Sequence, residues 1–289
     1  MFSRILVLTD LAAESAELAR CAAGLASLGV QEAHLVYCLP MDKLPGLRES
    51  MESLIGDDLE KARRQLAAGG WPVTSEVAVG PLGAEIERIA AEKDCSLVVV
   101  GSRVRSLAGD VLFGGVAAEA IYSARRPTLV IRIHADEGGV SKCRAWPCGP
   151  MERVLFPTDF SDNAEHAFGF LERLVTAGVR RVALLHVQDR ARLGKHLEHR
   201  LAEFNATDQA RLGRLKERLL KLGAEDVSIE VPYGHPAGEA LAAAQRPDTS
   251  LVVMGSQGRG FLSEVFVGSV SHHMARRSAA PVLLIPAIR

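Results

Sequence analysis

The sequence predicts an α/β protein built as two tandem open sheets, each of five parallel strands with helices on both faces. Three observations carry that expectation. The chain of 289 residues repeats itself at domain scale. Each repeat alternates short, continuously apolar runs with longer amphipathic ones. Glycines and polar clusters punctuate the ends of those runs.

The repeat is read by direct comparison. SRILVLTD at 3–10 matches ERVLFPTD at 152–159, and AHLVYCLP at 33–40 matches VALLHVQD at 182–189, both offset by 149 residues. DCSLVVVGS at 94–102 matches DTSLVVMGS at 248–256, offset by 154 and identical at seven of nine positions. A single insertion in the middle helical region explains the change of offset. RRPTLVIR at 125–132 matches SAAPVLLIP at 278–286. The expected domains are therefore 1–134 and 150–289, joined by a linker at 135–149 rich in Gly, Pro and charge.

Within the first repeat, RILVLT is apolar throughout, as a strand covered on both faces must be. AAESAELARCAAGLASLG reads as helical, with Leu11, Leu18, Cys21 and Leu25 near one face and Gly29 as a stop. AHLVYCL is the second strand. Residues 48–68 form a charged amphipathic helix ended by Gly69-Gly70, and VTSEVAVG alternates as a third strand. A helix at 83–93, the strand SLVVVG, a helix at 116–126 and the strand TLVIR complete the repeat. The second repeat follows strand for strand. Ligands of such sheets bind at the carboxyl ends of the strands.

Composition narrows the function. The chain is 48% hydrophobic and 24% charged, as globular proteins are. Formal charge is −3 up to Gly149 and +2 beyond it, which adds to the −1 of the whole. Neither half is basic enough for a nucleic-acid surface, and no run is long enough for a membrane span. MFSRILVLTD lacks the pattern of a signal peptide, so a cytoplasmic location is expected. The five cysteines are odd in number and scattered, which argues against a disulfide framework. Cys143 and Cys148 read as reduced thiols in the linker.

The chemistry is concentrated at LVVMGSQGRGFLSEVFVGSVS, residues 251–271. Gly255 ends the fourth strand, Gly258 follows after two residues, and Gly268-Ser269 after nine more. Glycines there allow close backbone approach and positive φ. Successive N–H groups can form an anion nest. Ser269 reads as the N-cap of the helix that follows, whose free N–H groups suit a phosphate. Tight turns alone would also explain the glycines, and the pattern is neither GxGxxG nor GxxxxGK[ST].

RVLFPTDFSDNA, ALLHV, VPYGHPAGEAL, the spacing Gly255-x2-Gly258-x9-Gly268-Ser269 and the final VLLIP together resemble the universal stress protein family, in tandem form. The resemblance implies strand order 3-2-1-4-5 and packing of the two repeats as a pseudo-dimer through PTLVIR and PVLLIP. It implies that the second repeat binds ATP, with Mg²⁺ accompanying the phosphates. By that likeness the triphosphate lies on Gly255, Gln257, Gly258, Gly268, Ser269 and Val270. Met254 and Gly255 flank the ribose. Pro157, Thr158, Asp159 and Val187 face the nucleoside. Asp159 has a second reading, as a cap of the following helix.

The first repeat departs from the pattern. Asp10, Gly101 and Gly114 are present, but Val104 stands where Gly258 does and Gly115 where Ser269 does. A β-branched residue is ill suited to positive φ, so this loop is expected not to hold a triphosphate. Adjacent helical residues cannot share a face, so His272 and His273 do not read as a metal pair. Residues 195–221 read as a solvated helix. No catalytic triad, HExxH or kinase signature is present, so no catalytic residue is named. Three functions remain open: ATP-dependent stress signalling, slow ATP hydrolysis, and a nucleotide-free adaptor for a protein or apolar ligand. A homodimer is a further expectation; nucleic-acid and membrane partners are not.

Overall fold

A computed structural model of the chain describes residues 1–11, 15–39, 48–104, 115–135, 141–142, 146–147, 150–193, 200–257 and 267–287. The chain forms two compact units, Met1–Gly149 and Pro150–Arg289.

The first unit runs β1 (Arg4–Thr9), α1 (Ser15–Ala23), a 3-10 turn (Gly24–Leu28), β2 (Glu32–Leu39), α2 (Arg48–Ala67), β3 (Val73–Val79), α3 (Leu82–Glu92), β4 (Leu97–Val104), α4 (Gly115–Tyr122), β5 (Thr128–Ala135) and β6 (Ser141–Lys142). Its sheet has the order β3-β2-β1-β4-β5, all parallel, as expected, with β6 added antiparallel to β5. Ile5 to Thr9 are buried without interruption, the burial that a parallel strand between two helical layers requires.

The interval read as a linker is partly built into this unit. It carries β6, and Trp146 is only 3% exposed. Cys21 on α1 is disulfide-bonded, its partner lying outside the described residues, which corrects the expectation that no cysteine is paired. Cys38 and Cys95 are free thiols. Burial pushes the Cys38 thiol up to about 12, with Glu85 adding to the effect, and pushes Cys95 up to about 11.

The second unit runs β7 (Arg153–Pro157), α5 (Asp162–Thr176), β8 (Arg181–Leu185), β9 (Gln188–Asp189), α6 (Arg190–Leu193), α7 (Leu201–Lys221), β10 (Asp226–Glu230), β11 (Tyr233–Gly234), α8 (Pro236–Ala244), β12 (Thr249–Gly255), α9 (Ser269–Arg277) and β13 (Val282–Ile285). The order is β10-β8-β7-β12-β13, again parallel, and β9 pairs with β11 as a separate two-stranded ribbon. That ribbon extends the edge above β8 and β10.

α5 shows how sequence builds the core here. Ala164, Ala167, Phe168, Leu171, Leu174 and Val175 recur at helical spacing and are buried. Phe168 meets Phe156 of β7 edge to face, with ring centroids 5.4 Å apart. Ser161 caps the helix by accepting from Ala164 N at 3.2 Å.

The two sheets differ at one place that bears on the site. β12 ends at Gly255, and Ser256 and Gln257 bend away from the sheet. In the first unit, β4 runs three residues beyond the matching Gly101. Ser102, Arg103 and Val104 stay paired with Arg132, Ile133 and His134 of β5. Arg132, 1% exposed, donates to Ser102 Oγ at 2.6 Å and helps hold that extension. The position that is Gly258 in the second repeat is thus regular strand in the first.

Candidate functional site

Both repeats make the same turn after strand one. Thr9 Oγ1 accepts from Leu11 N at 3.1 Å, and Thr158 Oγ1 accepts from Phe160 N at 3.0 Å. Leu11 and Phe160 both take a left-handed conformation, φ 55° and 57°. Non-glycine residues pay roughly 1–2 kcal/mol for that geometry. The turn swings Asp159 to the carboxyl edge of the sheet. Its Oδ1 accepts from Ser161 N at 3.1 Å and from Ser161 Oγ at 2.6 Å. The second reading of Asp159 is therefore modified: it orients the residue that caps α5 and does not cap the helix itself.

A cavity of about 660 Å³ opens at the carboxyl ends of β7, β8 and β12. That size suits a small-molecule ligand. Pro157, Thr158, Asp159, Val187, Met254, Gly255, Gln257, Gly268, Ser269 and Val270 all line it. Gly258, the remaining expected residue, lies outside the described residues.

The glycine-flanked loop is anchored at both ends. Asn163 Nδ2 donates to Gln257 O at 2.7 Å. A Cβ at Gly255 would lie 2.8 Å from that same nitrogen, so this glycine makes room for the anchor. At the far end, Gly268 N donates to Ser256 O at 2.8 Å, and Ser271 Oγ lies 2.6 Å from the same carbonyl. α9 begins at Ser269 with Gly268 as its N-cap and no side-chain cap. This corrects the expected capping role of Ser269. Its hydroxyl is in the first turn, on the cavity wall, beside the N-terminus it was expected to close.

The walls contributed by α7 were not read from the sequence. Phe204, Thr207, Asp208 and Arg211 of α7 line the opposite side. They fall at i, i+3, i+4 and i+7, a face signal that was present within the stretch read as solvated. His186 Nδ1 lies 2.8 Å from Thr158 O. A carbonyl only accepts, so that nitrogen carries the proton. His186 Nε2 is 3.6 Å from Asp208, which also accepts from Gln188 Nε2 at 3.1 Å. Phe160 lies against His186, centroids 4.5 Å apart, with the Arg211 guanidinium 3.8 Å from its ring centre on α7.

His235 and His273 line the cavity near α8 and α9. Burial, then the nearby Arg277 and His235, hold the His273 imidazole below its ordinary value. No group of three or more metal-ligating side chains occurs among the described residues. No described helix is long and apolar enough to cross a membrane. The arrangement offers acceptors and an aromatic stack at one end, and helix N-terminal N–H groups with imidazoles at the other. That polarity suits an elongated ligand with an anionic tail.

Comparison with known proteins agrees with this layout. The model of the universal stress protein family matches residues 1–132 and again 151–286. Universal stress protein MJ0577 of Methanocaldococcus jannaschii is 30% identical over 152 residues, covering 46% of this chain and 94% of that protein. Universal stress protein Rv2319c of Mycobacterium tuberculosis is 25% identical over 245 residues, covering 82% of this chain and 80% of its own. A crystal structure of a universal stress protein from Archaeoglobus fulgidus superposes over 99% of both chains with a TM-score of 0.73 at 20% identity, a likeness of fold. With its family model matched twice along its length, the chain belongs to the universal stress protein family.

Proposed function

We propose that the chain binds ATP in its second repeat and signals stress through that occupancy, with binding and not turnover as its activity. One observation carries the reading. Ten of the eleven residues expected around the nucleotide meet on a single cavity, ordered from the strand-one turn to the N-terminus of α9. The residues fit the group. Asp159 supplies an acceptor at the nucleoside end, and Gly255 permits close approach of the backbone. The first turn of α9 supplies N–H donors to phosphate. ATP would contribute the negative charge those donors attract, with Mg²⁺ held by the phosphates. We assign the first repeat no triphosphate site, because β4 stays in the sheet for three residues beyond Gly101, whereas β12 ends at the matching Gly255. The same reading puts the chain in the cytoplasm, as a monomer or homodimer.

A mass spectrum of the purified protein, run for co-purified ATP, tests the ligand, and calorimetric titration tests its number. One ATP per chain is expected, with ADP and AMP weaker in that order. Two equal sites, or no affinity for ATP, would overturn the assignment.

A further inference from the structure

The phosphate end of the cavity shows an unusual source of positive charge. Among the described lining residues, Arg211 is the sole lysine or arginine, and it sits on α7 beside Phe160, at the other end. Among the described lining residues contributed by α9, α8 and its N-cap, the ionisable side chains are His235 and His273. His235 is the N-cap residue of α8, yet its side chain makes no capping hydrogen bond. Pro236 follows it as the first helical residue. His273 lies one turn into α9, which packs on α8. The two imidazoles therefore stand at two helix N-termini that face one space.

The first repeat supplies the contrast. At the offset of 154 residues, Pro81 stands where His235 does and Glu119 where His273 does. Glu119 faces the start of α3: a Cβ on Gly83 would lie 3.0 Å from its Oε1. The repeat whose strand runs through the loop position thus also carries a carboxylate where the other carries an imidazole. A carboxylate there would repel phosphate.

We propose that His273 and His235 form a proton-linked clamp on the outer phosphates of the nucleotide, so that the site holds triphosphate more tightly as pH falls. The proposal rests on the nucleotide reading above and adds its control by pH. The charged and titratable groups acting on His273 are His272, Arg276 and Arg277 on α9 and His235 at the start of α8. The other ionisable walls of the cavity are Asp159, His186, Asp189, Asp208 and Arg211. Half-buried and close to cations, His273 starts with a lowered tendency to protonate. A phosphate beside it reverses the local field and raises that tendency. Binding then takes up a proton, and by linkage affinity rises as pH falls through the range where imidazole titrates. Arg276, Arg277 and Arg259 (the last outside the described residues) stay charged throughout and cannot produce this dependence. The terminal phosphate has its own ionisation near pH ~6 and loses charge on acidification, so it would act in the opposite direction.

Calorimetric titration with ATP and with adenosine, at about pH 8 and about pH 6, tests the clamp. ATP should bind roughly tenfold tighter at the lower pH, a change of about 1.4 kcal/mol, while adenosine affinity stays level. Repeating the titration in two buffers of different ionisation enthalpy should show proton uptake with ATP alone. In the double variant His235→Gln/His273→Gln the acid tightening should vanish. His273→Lys, a permanent cation, should restore the acid affinity at the higher pH. His273→Glu, copying Glu119, should weaken ATP by about tenfold or more. Adenosine affinity reports in every variant that the fold is intact. ATP binding with the same pH profile in parent and double variant overturns the clamp and leaves the nucleotide reading standing. A parent that binds neither ATP nor adenosine at either pH overturns both.

Discussion

Replacing Gly255 with alanine tests how the loop is held. The added Cβ would lie 2.8 Å from Asn163 Nδ2, 3.1 Å from its Cγ and 3.3 Å from its backbone oxygen. The first contact is too close and the other two are tight, so the side chain of Asn163 must swing away. It then gives up its 2.7 Å hydrogen bond to Gln257 O. A lost neutral hydrogen bond costs about 0.5–1.5 kcal/mol, and forcing an extra methyl into a packed site costs about 1–3 kcal/mol. Urea unfolding should therefore show a loss of roughly 1.5–3 kcal/mol, the lower part of that sum, because the closest contact is the end of a side chain and not backbone. ATP affinity should fall by about tenfold, since the anchor at the start of the loop is gone. A double-mutant cycle with Asn163→Ala isolates the cause. In the Asn163→Ala background the added methyl meets no amide, so Gly255→Ala should cost clearly less there than in the parent. Equal costs in both backgrounds would show that the amide contact is not the reason for the glycine.

Three further outcomes are expected. Asp159→Ala should weaken ATP by ~1–3 kcal/mol while Asp10→Ala leaves it unchanged, measured by the same titration; equal losses would mean that both repeats bind. Gly258→Val, which copies Val104, should lower ATP affinity by roughly tenfold or more with the fold intact by circular dichroism, and parent-like affinity would reduce the loop to a turn. Phe204→Ala on α7 should weaken ATP and adenosine by the same factor, because that wall faces the nucleoside; a loss confined to ATP would reverse the direction assigned to the ligand.

What could be read from the sequence was whatever one element decides alone. RILVLT and LVVMG are strands on apolar continuity, and the carboxyl edge follows from their order, so Asp159 and Gly255 were found together. What could not be read depends on two elements at once. The face of α7 bearing Phe204 and Asp208 carries Glu and Arg between its apolar residues, which looks solvated until β8 and β9 bring His186 and Gln188 against it. Asn163 looks like an ordinary first-turn residue until Gln257, 94 residues away, accepts its hydrogen bond. Ser269 fits the N-cap pattern by residue type, yet the geometry gives that place to Gly268. Val104 read as an unsuitable loop residue; its actual state, a strand residue paired with His134, depends on β5. The pairing of Cys21 left no mark in cysteine spacing at all.

The comparison between repeats also decides which features are evidence of a ligand. The left-handed turn after strand one, with its threonine hydroxyl closing it, occurs in both repeats at nearly equal φ. A feature kept in a repeat that the proposal assigns no triphosphate is attributable to the fold, so Asp10 by itself does not make a site. Four differences bear on the end proposed for the phosphates: Val104 against Gly258, Gly115 against Ser269, Pro81 against His235 and Glu119 against His273. Each change has a physical reason to disfavour an anion: a backbone kept in the sheet, a lost hydroxyl, a lost imidazole and an added negative charge. Transplanting all four second-repeat residues into the first would still leave β4 paired to β5 through Ser102 and Arg132, so that graft is expected to bind weakly until the strand itself is shortened.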